Sequence, residues 1–194
     1  AINQAFGLKQ VFVSTYQALS GAGYPGVPSL DAVGNVVPFI SHEEEKMETE
    51  LAKMLGTYSE GEFRYAPFKV MANCARVPVI DGHLESLVLD TEAQPSLDEL
   101  EACLAGFRGE PQTLGLPSAP DQPIIVRHEE NRPQPVFDAM AGKPERARGM
   151  AVTNGRLRQS NGYYKAFAMS HNTLRGGAGG SVLNAELAKA KGIL

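Results

Sequence analysis

The sequence predicts an α+β fold: a mostly antiparallel or mixed sheet with helices on one face. Three observations carry this. Strand-like runs follow one another through hairpin signals, Asp81-Gly82 and Asn161-Gly162. Helical periodicity is confined to separated stretches. The resulting order, β, α, β, β, α, β, β, β, α, is that of an α+β domain. A sheet with one bare face needs a cover, so a homodimer built through that face is expected.

Taken in order, AINQAFG reads as the tail of a helix stopped by Gly7, which suggests that a segment precedes it. Residues Val11 to Leu19 are rich in β-branched and aromatic side chains and read as a strand. SGAGYPG follows as a turn cluster. His42 to Leu55 opens with acidic residues and repeats Met47, Leu51, Met54 and Leu55 at helical spacing, ending at Gly56. Phe68 to Val79 and Leu84 to Thr91 read as strands on either side of the Asp81-Gly82 bend. Ser96 to Phe107 is a helix with a capping-box signature, Ser96 and Glu99. Gln112 to Gln122 reads as loop, Ile124 to Arg127 as a short strand and Asn131 to Gly142 as irregular chain. Arg148 to Arg158 and Tyr163 to Ser170 form a hairpin pattern, and Leu174 to Lys191 a last helix with glycine-rich first turns.

At 194 residues, with 43% hydrophobic and 21% charged content, the chain suits a single globular domain with a real core. A net charge of -4 without a basic stripe argues against nucleic acid as a partner, and no apolar run is long enough for a membrane span. Cys74 and Cys103 are too few for a disulfide framework, so a reducing cytoplasm is the expected compartment. The histidines are scattered, with no pair at metal-ligand spacing.

The stretch CARVPVIDGH is the most informative. It sets Arg76 and His83 at opposite ends of a short apolar turn. A guanidinium can grip a carboxylate with two parallel hydrogen bonds, and an imidazole can hold or release a proton near neutrality. The alternative is a structural ion pair at Arg76 and a histidine that merely closes a turn. Gln17, just before a turn with three glycines, could orient a carbonyl or carboxylate, or could simply end a strand. Lys46 and Glu43 lie in the acidic run EEEKMETE, which reads either as an anion contact with its partner or as a solvated helix face. RGGAGGS lacks the spacing and the βαβ setting of a dinucleotide fingerprint.

QALSGAGYPG, NVVPFI with EEEKMETE, CARVPVIDGH, GRLR at Gly155 to Arg158 and HNTLRGGAGGSVLNAE at His171 to Glu186 together resemble the aspartate-β-semialdehyde dehydrogenase family, in its archaeal and fungal-like branch. They stand in the family's order, from about residue 10 to the end. The resemblance implies a glyceraldehyde-3-phosphate-dehydrogenase-like C-terminal domain that binds substrate and dimerises. It also implies an N-terminal Rossmann-type domain, absent from this sequence, that holds NADP and the nucleophilic cysteine. The implied reaction is reduction of aspartyl-4-phosphate to aspartate semialdehyde with release of phosphate, toward lysine, threonine and methionine. In that reading Gln17 positions the acyl group, Arg76 binds the α-carboxylate and His83 is the acid/base group. Lys46 contacts phosphate, Glu43 sits near the substrate amine or Arg76, and Asn172 contacts the nicotinamide. Neither Cys74 nor Cys103 matches the nucleophile, so this stretch alone is expected to be inactive. Reductases of malonyl-CoA or N-acetylglutamyl phosphate share the same thioester logic, and a non-catalytic dimerisation module is the remaining alternative.

Overall fold

A computed structural model describes all 194 residues as an α+β domain around one mixed sheet. The chain opens with α1 (Ile2–Phe6), ended by Gly7 at φ 66, and enters β1 (Leu8–Gln17). A glycine-rich turn and the short α2 (Ser29–Ala32) lead to α3 (Glu43–Met54). A small hairpin, β2 (Thr57–Ser59) and β3 (Glu62–Arg64), precedes β4 (Lys69–Arg76) and β5 (His83–Thr91). Next come α4 (Leu97–Gly106), the single turn α5 (Glu110–Thr113), β6 (Ile124–Arg127) and the short α6 (Pro135–Asp138). The hairpin β7 (Val152–Ser160) and β8 (Tyr163–Ser170) and the terminal α7 (Gly179–Ala190) complete it.

Sheet order is β4-β1-β5-β8-β7-β6. The central pairings β1–β5, β5–β8 and β8–β7 are antiparallel, whereas both edge strands, β4 and β6, pair in parallel. Here the sequence expectation needs correction. The strands flanking Asp81-Gly82 are not neighbours: β1 runs between them, parallel to β4 and antiparallel to β5. Gly82 still makes the bend, at φ 95, where a Cβ would stand 3.3 Å from the Pro135 and Ala139 side chains. At Asn161-Gly162 the hairpin forms as read, with φ of 53 and 81, the left-handed pair that a tight two-residue turn requires.

Other boundaries shift. The first strand stops at Gln17, because Leu19 and Ser20 turn to bond with the Val79 and Ile80 carbonyls. The seventh begins at Val152 rather than Arg148. The β2–β3 hairpin was not foreseen, since its two strands are too short for a pattern; Glu60 and Gly61 make its turn with positive φ. The last helix starts later than read, because Leu174–Ala178 is a wider turn broken by the non-helical Gly177.

Two helices cover one face. α3 lays Met47 and Leu51, and α4 lays Leu100, on a core of Val11, Val13, Phe68, Leu89 and Tyr164. Each such side chain removed from water contributes about 1.5–3 kcal/mol. The Ser96–Glu99 capping box holds the start of α4 as expected. The opposite face, with Phe12, Tyr16, Met71, Leu84, Val88 and Phe167 in register, is largely uncovered, apart from α6 near the end of β8. No helix is long and apolar enough to cross a membrane.

Strand β4 is an edge, and an edge exposes unpaired N–H groups. The acidic run on α3 satisfies them. Glu44 Oε1 accepts from Cys74 N at 2.9 Å and Glu48 Oε1 from Ala72 N at 3.1 Å, while Arg76 exchanges backbone bonds with Val37. EEEKMETE is therefore an edge seal as well as a helix face.

Candidate active site

The sheet register brings the first three candidates together. Gln17 at the end of β1 pairs with Arg76 at the end of β4. Tyr16 pairs with Leu84, so Gln17 also lies opposite His83 at the start of β5. Directly opposed residues point to the same side of a sheet, here the side covered by α3. Glu43 and Lys46, on the first turn of α3, reach over these strand ends, and Asn172 approaches from beyond β8. All six residues line one cleft of about 530 Å³.

Each side chain is held. Arg76 is buried, and its Nη1 donates to the Ala18 carbonyl at 2.6 Å, a backbone partner rather than the carboxylate of a structural ion pair. The rest of the guanidinium fork is left for the cleft. Burial pushes its pKa down and Glu43 opposes that. His83 Nδ1 accepts from Ala18 N at 3.1 Å. Burial first, then the Arg76 charge, lower its pKa to about 4, with Glu43 acting in the other direction. Gln17, buried, donates through Nε2 to Glu43 Oε2 at 3.0 Å. That bond, more than the neighbouring Lys46, keeps Glu43 below the usual carboxylate range. Lys46 Nζ lies 3.5 Å from Glu43 Oε1 and remains half-exposed. Glu43 thus contacts Gln17 and Lys46 directly and acts on Arg76 through its charge alone.

Asn172 serves as a strut. Its Oδ1 accepts from Gly82 N at 2.9 Å and its Nδ2 donates to Ser20 Oγ at 2.8 Å, joining the Asp81-Gly82 bend to the glycine-rich turn. Neither cysteine is placed for nucleophilic work in this cleft. Cys74 is buried beside Met47, and burial pushes its thiol pKa up; Cys103 lies half-buried on α4.

Sequence reasoning missed two contributors and one buried neighbour. Ala18, with no side-chain chemistry, supplies both backbone partners of Arg76 and His83. At Gly21 a Cβ would stand 2.9 Å from Arg76 Nη1 and 3.0 Å from His83 Cε1, so the absent side chain makes room for both. The glycine cluster signalled a close approach without saying to what. Glu85 follows His83 on the same strand face, and burial pushes its pKa up. Nothing in its strand pattern distinguished it.

A polar cleft at the ends of adjacent strands holds a free guanidinium fork, an imidazole and an exposed ammonium, groups with the chemistry to bind an acidic, anion-bearing molecule. The chain belongs to the semialdehyde dehydrogenase dimerisation-domain family, whose model matches residues 1–175. It is 50% identical over 190 residues to an aspartate-semialdehyde dehydrogenase of Methanothermobacter thermautotrophicus, covering 96% of this chain and 53% of that protein. It is 39% identical over 196 residues to a malonyl CoA reductase (NADP) of Metallosphaera sedula, covering 100% of this chain and 54% of that one. Among solved structures, an aspartate semialdehyde dehydrogenase with NADP from Candida albicans superposes with a TM-score of 0.86 at 38% identity, covering all of this chain and 54% of the other. The fold is the glyceraldehyde-3-phosphate-dehydrogenase-like C-terminal domain of such enzymes, and the chain spans about half the length of the relatives it matches.

Proposed function

We propose that this chain is the substrate-binding and dimerisation half of an NADP-dependent aspartate-semialdehyde dehydrogenase. The observation that supports this most is the convergence of Arg76, His83 and Gln17 on one cleft, with Glu43 and Lys46 across it. Arg76 takes the α-carboxylate of aspartyl phosphate in its free fork. Lys46 takes the phosphate that leaves, Gln17 orients the acyl group, and Glu43 holds Gln17 while offering charge to the substrate amine. His83 handles the proton at the acyl oxygen. The sulfur nucleophile and the NADP site belong to the other half. NADPH bound there would supply the hydride, and Asn172, on the cleft wall, is the residue of this half assigned to its nicotinamide side. Overall, aspartyl phosphate, NADPH and a proton become aspartate semialdehyde, NADP and phosphate. The whole enzyme works in the cytoplasm, which agrees with two unpaired cysteines.

A malonyl-CoA reductase is the second reading, favoured by the 39% identical relative. Arg76 would grip the malonyl carboxylate equally well. Joining this chain to the N-terminal half of the 50% identical relative tests both. The fused protein is expected to reduce NADP with aspartate semialdehyde and phosphate. Turnover with malonyl-CoA and NADPH alone would move the assignment to the second reading, and no turnover with either would remove both.

The homodimer forms through the open sheet face. Phe12, Tyr16, Met71, Val88 and Phe167 give that face an apolar stripe wide enough to need a cover. Val88→Lys puts a charge at its middle and is expected to yield monomers by light scattering at micromolar concentration. A variant that stays fully dimeric would place the interface elsewhere.

A further inference from the structure

We infer that Glu44 and Glu48 are positioning residues, which bolt α3 to the backbone of β4 and so fix the Lys46 ammonium relative to the Arg76 guanidinium. A strand turns every second amide to the same side. As an edge, β4 turns those of Ala72, Cys74 and Arg76 away from β1. The helix repeat meets them. Four residues of a helix rise about 6 Å and two of a strand about 6.6 Å, at about 1.5 and 3.3 Å per residue. Carboxylates spaced i, i+4 therefore fall on successive outward amides: Glu44 Oε1 accepts from Cys74 N at 2.9 Å and Glu48 Oε1 from Ala72 N at 3.1 Å. The next amide, that of Arg76, donates to the Val37 carbonyl at 2.8 Å. The row of bonds thus ends at the residue that carries the guanidinium.

The layout of the helix surface shows what these bolts control. Met47 and Leu51 form the stripe that α3 lays on the core. At about 100° per residue, Glu43 and Lys46 fall on one flank of that stripe, over the cleft, and Glu44 and Glu48 on the other, against the strand. Apolar contact resists lifting but is non-directional, so by itself it tolerates a roll of the helix. The two carboxylate–amide bonds are directional and stop a roll that would swing Lys46 across the cleft. From the cleft side Glu43 is held by Gln17 at 3.0 Å, whereas the Lys46 ammonium leans on Glu43 at 3.5 Å.

The consequence for turnover rests on the dehydrogenase reading, in which Arg76 takes the carboxylate and Lys46 the phosphate. Arg76 keeps its own holds on Val37 and Ala18. A rolled helix therefore leaves the carboxylate anchor in place and loses the phosphate contact.

The test compares Glu44→Ala with Glu48→Ala in one protein against Glu44→Gln with Glu48→Gln in another. A glutamine oxygen still accepts from the strand amide and alanine does not, so the two proteins separate the bond from the charge. On the chain as it stands, hydrogen exchange of the Cys74 and Ala72 amides is expected to quicken about tenfold in the double alanine variant and to stay near the parent in the double glutamine variant. In the fused enzyme, the double alanine variant is expected to raise KM for inorganic phosphate about tenfold, while kcat and KM for aspartate semialdehyde stay within about twofold. The double glutamine variant restores the parental KM. If the double alanine variant does not fold, Glu44→Ala alone serves, with the Cys74 amide as its readout. A fall in kcat with unchanged KM values, as mere loss of folded enzyme gives, would overturn the inference. So would a parental phosphate KM in the alanine variant, a glutamine variant no better than it, or strand amides that exchange freely in the parent. A fused enzyme without turnover sinks the dehydrogenase reading alone: inorganic phosphate titrated against the chain, and followed at the Lys46 ammonium by NMR, then decides between the same tenfold weakening and none.

Discussion

Arg76→Lys in the fused two-half enzyme is expected to lower kcat/KM for aspartate semialdehyde by about 100- to 1,000-fold. The reason lies in how the guanidinium is shared. One nitrogen is committed to the Ala18 carbonyl, and the rest of the fork faces the cleft. A lysine ammonium is a point donor and cannot hold that carbonyl and a bidentate carboxylate together. Losing hydrogen bonds to charged groups, at about 1.5–3 kcal/mol each, gives about 3–4 kcal/mol, which at about 1.4 kcal/mol per decade is the stated range. A simple aldehyde lacking the carboxylate should be processed equally by both proteins. Steady-state kinetics with the two aldehydes decide: an equal fall for both would show that Arg76 supports the site's shape and does not read the carboxylate.

The largest effect on stability is expected at Asp138, far from the chemistry. Its side chain is fully buried. It takes Arg132 in a two-point contact, with Nε at 2.7 Å, accepts from Gln134 N at 2.7 Å and lies 3.3 Å from Arg127 Nε. Asp138→Asn keeps the volume but turns an amide donor toward arginine donors and strips two cations of their counter-charge. Breaking a buried pair by removing one partner costs about 3–5 kcal/mol. Both arginines stay partly exposed, so about 3 kcal/mol is expected, or about 6–12 °C in Tm for a chain of this size. Urea and thermal unfolding measure it. A loss under about 1 kcal/mol would mean that the cluster only decorates the surface.

That cluster also shows where reading the sequence stopped. Asn131 to Gly142, with its prolines, reads as irregular, yet Asp138 caps the amide of Gln134 and organises α6 from within. Contacts between Arg127, Arg132 and Asp138 carry no periodicity, so no local pattern announces them. The same holds for EEEKMETE. Its helical spacing was plain, but Glu44 and Glu48 acquire their role from an edge strand more than twenty residues away. By contrast, the capping box at Ser96 and the turn at Asn161-Gly162 are satisfied within a few residues, and both formed as read.

By itself the sequence determined the α+β class, most of the strands and helices, and the residue types on which the site depends: Arg76, His83, Gln17, Glu43, Lys46 and Asn172. Those follow from local spacing, turn chemistry and the family's motifs, all of which are written along the chain. Only the tertiary structure decided that β1 runs between β4 and β5, that these side chains share one cleft, and that the backbone of Ala18 holds two of them. Strand order and backbone partners are set by long-range pairing and burial, and a peptide group looks the same in every residue until the fold gives it a neighbour.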